Sequence, residues 1–173
     1  MKTIQFRLQF QTSEISKYAE AYAFNDDADA LVAGEKIRNG QFTRDNLGEI
    51  FEWKTGGRGR SRLAQNSDAE ISDALHRAID AETDRVAIAV LLGLRGVHIP
   101  VASAILTAIF PERFTIIDFR ALEALGIQKP LITLDFYLQY LNECRQLALQ
   151  TKVSLRTLDR ALWQWSKEKS RQI

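Results

Sequence analysis

Residues 94–106 read LRGVHIPVASAIL, and they decide the fold because they place a glycine turn and a proline between two apolar segments. The flanking stretches 85–92 and 100–110 are apolar enough to form buried helices, and only a few residues separate them. A connection this short needs a residue that tolerates positive φ, and Gly96 supplies it. Pro100 suits the first turn of the second helix. The stretch therefore predicts an αα-hairpin.

The rest of the chain also carries mainly helical signals. Apolar spacing and capping residues predict further helices within 13–24, 27–40, 43–54, 67–79, 118–125, 132–149 and 154–169. Residues 3–10 instead alternate apolar and polar side chains, which predicts a short half-buried strand or an extended arm. The predicted class is mainly α, in a single domain over 1–173.

Composition limits the kind of protein. The chain has 173 residues, 46% of them hydrophobic, which is enough for one core or two joined lobes. Its single cysteine, Cys144, cannot form an internal disulfide. No apolar stretch reaches the roughly 20 residues that span a bilayer, and the N-terminus lacks a signal-peptide pattern. We expect a soluble cytoplasmic protein with no membrane partner. Because the net charge is only +1, any contact with a polyanion must come from a local patch.

The predicted hairpin has two interpretations. Val97 is expected to point inward, which turns the amides near Gly96, His98 and the start of the next helix outward. Clustered amides at a helix N-terminus bind anions such as phosphate. The same pattern is also typical of an ordinary αα-hairpin that binds no ligand.

Asp118 follows the apolar run Thr115-Ile116-Ile117 and precedes FRALEAL. Its position suits the N-cap of that short helix, which is a purely structural role. Taken with the hairpin, the pattern is more specific. L-x-G-V-x-x-P-V-A-S, an apolar helix, Pro111 and then an Asp before a helix resembles the helix-hairpin-helix (HhH-GPD) DNA glycosylase superfamily, in its 8-oxoguanine glycosylase-like branch. The resemblance is strongest over 85–126 and weaker over 43–66 and 157–169.

The resemblance implies a compact bilobal helical fold that acts on DNA, in a duplex with a damaged or modified base. It implies no organic cofactor and at most a structural K⁺ or Na⁺ ion behind the hairpin. Asp118 matches the catalytic aspartate. The other matched groups are the phosphate-gripping amides of Gly96, His98 and Val101, and the cation-binding carbonyls of Leu92, Leu94 and Val97.

Two positions depart from the family pattern. Pro100 stands where bifunctional relatives carry a Schiff-base lysine, so the resemblance implies a monofunctional glycosylase that leaves an intact abasic site. His98 stands where the family has its second hairpin glycine. The alternative is therefore a catalytically inactive nucleic-acid-binding module within a multi-protein system, such as a phage-defence system.

The stretch TGGRGRSRLAQN (55–66) has three glycines within five residues and is predicted to be a loop. The overlapping stretch FEWKTGGRGRSR (51–62) adds a local basic patch. Arginines on a glycine-rich loop reach phosphates easily, and the predicted DNA contacts are Lys54, Arg58, Arg60 and Arg62. Trp53 and Phe136 are the candidates for the base pocket, with core packing as the alternative for both. Asn66 is predicted either to cap the following helix or to reach into a cleft.

Overall fold

The computed structural model describes residues 4–22 and 27–170, and within these ranges the chain is mainly α-helical, as predicted. A short 3₁₀ turn at Thr12–Glu14 precedes the first α-helix. The α-helices of the described ranges are α1 (Ile15–Glu20), α2 (Ala28–Arg38), α3 (Arg44–Thr55), α4 (Arg60–Leu63), α5 (Asp68–Asp80), α6 (Asp84–Leu91), α7 (Ile99–Ile109), α8 (Phe119–Ala124), α9 (Leu134–Thr151) and α10 (Leu155–Lys169). None of them is both long enough and apolar enough to cross a membrane.

Most of these helices begin at a side chain that satisfies one of their unpaired amides. At α5 the hydroxyl of Ser67 accepts from the Glu70 amide, and the Glu70 carboxylate accepts from the Ser67 amide. This is the capping box that S-x-x-E predicts. Hydroxyls also cap α3, α6, α9 and α10, from Thr43, Thr83, Thr133 and Ser154. The helix starts predicted at residues 43, 67 and 154 therefore coincide with observed N-caps.

The N-terminal segment is an extended arm, and no residue of the described ranges forms a strand. From residue 4 to residue 10 its apolar side chains are half-buried and its polar ones exposed, as the alternation predicts. The amides of Arg7 and Gln9 donate to the carbonyls of Leu125 and Ala124, both at 2.9 Å. The arm is thus held by two hydrogen bonds at the end of α8. Residue 3, where the predicted arm begins, lies outside the described residues.

The chain divides into two compact units, the first made of residues 1–24 and 115–173 and the second of residues 25–114. In the first unit, α1, α8 and α9 pack on α10. In the second unit, α7 is buried along nearly its whole length and contacts α2, α3 and α6. The predicted hairpin lies in the second unit, and Asp118 lies in the first.

Candidate functional site

The hairpin between α6 and α7 forms as predicted. Helix α6 ends at Leu91, α7 begins at Ile99, and Gly96 between them has a φ of 86°. Val97 points inward and is only 3% exposed. Pro100 lies in the first turn of α7, where its missing N–H leaves no intrahelical bond unmade. The turn is therefore fixed by a left-handed glycine and an apolar anchor.

This turn presents backbone donors. In the part of the chain that the structure describes, the amides of Gly96 and His98 donate to no protein acceptor. The Val101 amide differs, because it donates to the His98 carbonyl at 2.9 Å, and an anion there would have to share its proton. His98 is the N-cap residue, and its exposed side chain makes no capping hydrogen bond. Two amides and one imidazole are thus placed at the N-terminus of a buried helix, where anions are favoured.

The carbonyls matched to a monovalent cation lie in the same turn. The Leu94 carbonyl accepts the Val97 amide at 3.1 Å, which uses one of its two lone pairs. The second lone pair is compatible with a cation held together with the carbonyls of Leu92 and Val97. The cation site stays a prediction.

The basic loop reverses the chain directly after α3. Its three glycines, Gly56, Gly57 and Gly59, all have positive φ, and α4 begins at the next residue. The loop predicted over residues 55–66 is therefore interrupted by the short helix α4, on which two of the predicted DNA-contacting arginines lie.

The four predicted cationic contacts are in different environments. Arg60 forms an ion pair with Glu52, so part of its charge is already neutralised. The Arg58 Nε donates to the Thr55 carbonyl at 3.0 Å, and its side chain is otherwise exposed. Arg62 is exposed on α4, whereas Lys54 is half-buried on α3. Arg58 and Arg62 are therefore the loop cations best placed to meet a polyanion.

Asn66 joins this region to the hairpin, and neither predicted role for it was right. Ser67 caps α5, and Asn66 is 3% exposed beneath the hairpin turn. Its Oδ1 accepts the Arg95 amide at 2.8 Å, while its Nδ2 donates to the Leu63 carbonyl at 2.8 Å and the Arg95 carbonyl at 3.0 Å. One buried amide thus fastens the end of α4 to the hairpin.

The two segments are also in van der Waals contact. A Cβ added at Gly96 would lie 3.0 Å from the Leu63 nitrogen and 3.2 Å from the Arg62 Cβ. Position 96 therefore requires glycine for its backbone angle and for this close approach. We call the group formed by Gly96, His98, Arg58 and Arg62 the hairpin–loop surface. It lies wholly within the second unit.

Replacing Asn66 by alanine is expected to lower the free energy of unfolding by about 2 to 3 kcal/mol, because the buried backbone groups that it pairs would lose their partners. Chemical denaturation in urea measures the change. Gln65→Ala is the control, since the Gln65 side chain is exposed in the same segment. Equal stability of the two variants would show that the Asn66 hydrogen bonds do not hold α4 to the hairpin.

Asp118 is the N-cap of α8, as its position predicts. Its Oδ1 accepts the Ala121 amide at 2.9 Å, and the residue is half-buried. Such a bond orients the carboxylate rigidly with respect to the helix.

Two buried tyrosines of α9 hold the segment that leads to Asp118. The Tyr137 hydroxyl donates to the Thr115 carbonyl at 3.0 Å, and the Tyr140 hydroxyl donates to the Ile116 carbonyl at 2.7 Å. Burial raises the pKa of Tyr140 well above its ordinary value, with smaller contributions from neighbouring groups that include Asp118. The Tyr140 hydroxyl therefore stays protonated and keeps donating over the whole neutral range.

The two base-pocket candidates lie in different units. Phe136 is 7% exposed, and its ring packs edge-on against Phe6 with centroids 5.9 Å apart. Its packing is that of a core residue of the first unit, which was the alternative considered for it. Trp53 is half-buried on α3 in the second unit. A contact of either ring with a base stays a prediction.

Comparison of the chain with family models, curated proteins and solved structures finds no match. The resemblance to helix-hairpin-helix glycosylases therefore depends on the residues of the hairpin and on Asp118.

Proposed function

We propose that the protein is a monofunctional DNA glycosylase that hydrolyses the N-glycosidic bond of a flipped, modified base. The observation that carries the proposal is the hairpin–loop surface, which combines two backbone donors at a helix N-terminus with exposed arginines. Phosphate is the anion that such a combination suits, and DNA supplies phosphates at regular spacing.

Binding begins with the backbone. The amides of Gly96 and His98 hold one phosphate, and Arg58 and Arg62 contact phosphates nearby. These contacts carry no sequence information, so they position DNA of any sequence on the protein. Extruding a nucleotide costs a few kcal/mol, and least for a damaged or mispaired base, which favours such bases as substrates.

Asp118 supplies the chemistry. As the bond between C1′ and the base breaks, positive charge develops on the sugar, and an ionised carboxylate stabilises it. A water molecule then adds its hydroxyl to C1′, and its proton leaves with the released base. Pro100 has no amine for a Schiff base, so the product is an intact abasic site without strand cleavage.

A second function is supported by a specific observation. The carboxylate of Asp118 already has a structural role as the cap of α8. A protein with the same hairpin–loop surface and no catalytic activity would be a nucleic-acid-binding module within a multi-protein system.

The two functions are separated by one assay. Duplexes that each carry one modified base from a panel are incubated with the protein, and alkali then converts abasic sites to strand breaks. The glycosylase produces breaks on at least one duplex after alkali and none before it, and Asp118→Asn does not. Retention of every duplex without breaks on any member of the panel identifies the binding module instead.

The hairpin–loop surface also predicts a salt dependence. Arg62→Gln is expected to make the slope of log affinity for duplex DNA against log salt less negative by about 0.9, the effect of one lost phosphate contact. Arg60→Gln is expected to change it less, because Glu52 already pairs with Arg60. Binding isotherms at several salt concentrations give the slope, with Arg38→Gln as the exposed control on α2. Identical slopes for Arg62→Gln and Arg38→Gln would place the duplex elsewhere.

A further inference from the structure

Helix α10 carries cationic and aromatic side chains along one face. Arg156, Arg160, Trp163 and Lys167 follow one another at spacings of four, three and four residues. These spacings place side chains one above another on a helix. All four residues are half-buried, so part of each remains accessible to solvent.

Two residues of α8 extend this face. The Arg120 guanidinium lies 4.9 Å from the centre of the Phe119 ring and 5.2 Å from that of Trp163. The Lys167 Nζ lies 4.8 Å from the Trp163 ring. Phe119 is 70% exposed, so its ring is accessible at the end of this row.

Tyr22 continues the face on its other side. Its ring meets Trp163 edge-on with centroids 5.3 Å apart, and the Arg160 guanidinium lies 5.6 Å from the Tyr22 ring. Arg156 is also near this ring, but its side chain is only 11% exposed and pairs with Asp159. We call the remaining group, made of Tyr22, Phe119, Arg120, Arg160, Trp163 and Lys167, the α10 stripe.

Structural stabilisation alone does not account for the α10 stripe. Cation–π contacts contribute modestly to stability at exposed sites, and they explain why the cations lie over the rings. They do not explain an exposed phenylalanine at the end of the row, since leaving this ring in water is unfavourable. The chain has a net charge of only +1, so three cations among three rings are a local concentration.

We propose that the α10 stripe binds single-stranded DNA. Unpaired bases stack on Phe119 and Trp163, and the phosphates between them contact Arg120, Arg160 and Lys167. A strand that alternates flat bases with negative charges complements a surface that alternates rings with positive charges. A duplex fits less well, because its bases are stacked on one another and offer no free face. The proposal needs neither a modified base nor Asp118, so it goes beyond the glycosylase activity.

The test uses a fluorescein-labelled oligothymidine of about 15 nucleotides, within the site sizes known for such surfaces, and fluorescence anisotropy. Phe119→Ala is expected to weaken binding about fivefold or more, because one stacked base is lost. The matched control is Leu149→Ala, which removes an apolar side chain that is 74% exposed in the same unit, and it is expected to bind like the wild type.

The cations are tested by salt dependence. Arg120→Gln combined with Lys167→Gln is expected to make the slope of log affinity against log salt less negative by about 1.4, at roughly 0.7 for each phosphate contact on a single strand. Arg7→Gln, an exposed cation on the N-terminal arm, is the control and leaves the slope unchanged.

Four results would overturn the proposal: wild-type affinity of Phe119→Ala, an unchanged salt slope for the variant with Arg120→Gln and Lys167→Gln, tighter binding of a duplex of equal length, or tighter binding of oligouridine. Failure of the protein to release any modified base bears only on the glycosylase, because the oligothymidine contains none. The opposite combination is also informative. A Phe119→Ala variant that still releases a modified base and binds oligothymidine like the wild type would support the glycosylase and reject the role of the α10 stripe.

Discussion

Replacing Asp118 by asparagine is expected to slow base release about a hundredfold or more while changing the free energy of unfolding by only a few tenths of a kcal/mol. The first effect follows from the proposed mechanism, in which the Asp118 carboxylate would stabilise the positive charge that develops on the sugar. The second follows from the cap of α8, because asparagine is as good an N-cap as aspartate and its side-chain oxygen can accept the Ala121 amide.

Asp118→Ala is the matched comparison. It removes the charge and the capping oxygen together, so it is expected to lose base release and also about 1 kcal/mol of stability. Single-turnover rates of base release, combined with urea denaturation, separate the two roles. A wild-type rate for Asp118→Asn would reduce Asp118 to a structural cap. A large loss of stability in the same variant would leave any loss of rate without a chemical explanation.

The hairpin and the cap were predictable because their determinants are local. Gly96, Pro100 and Asp118 each act on backbone groups within a few residues, so their spacing along the chain carries the information. The mainly α class was predictable for the same reason, since apolar periodicity and capping residues mark helices one at a time.

Asn66 was not predictable, because its partners are distant in the sequence. Arg95 lies 29 residues away, and only the folded second unit brings the two together. An asparagine before a serine-capped helix is typical of a turn, and the sequence around Asn66 does not indicate that its side chain is buried. Arg44 behaves similarly, since it reaches the Asn66 carbonyl and the Asp68 carboxylate across more than twenty residues.

The α10 stripe was predictable only in part. The helical spacing of Arg160, Trp163 and Lys167 is visible in the sequence, and it marks a face. Other parts of the fold add Tyr22, from the segment after α1, and Arg120, from α8. With these two residues, rings and positive charges alternate along the face. The sequence of one helix therefore predicts which residues share a face. The binding properties of that face also depend on residues that the fold brings from other segments.

Gly34→Ala is expected to lower the free energy of unfolding by about 3 kcal/mol or more. The sequence alone does not predict this loss of stability. In sequence Gly34 is one residue of an ordinary helix. In the structure α2 crosses α7 at this point, and a Cβ on Gly34 would lie 2.0 Å from the Ala108 carbonyl oxygen. Backbone atoms cannot move aside like a flexible side chain, so the two helices would have to separate.

Gly48→Ala isolates that contact. Gly48 lies within α3, and a Cβ there would point into open space, with no other part of the chain within 4 Å. Both substitutions gain the same helix propensity, up to about 1 kcal/mol, so Gly48→Ala is expected to stabilise the protein. Urea denaturation of the two variants gives the cost of the α2–α7 contact as the difference between their free energies of unfolding.

Because α7 also begins at the hairpin, helices that separate at Gly34 would displace the amides of Gly96 and His98. Gly34→Ala is thus expected to weaken duplex binding in protein that remains folded, and equal stability of the two variants would show that α2 and α7 do not approach this closely.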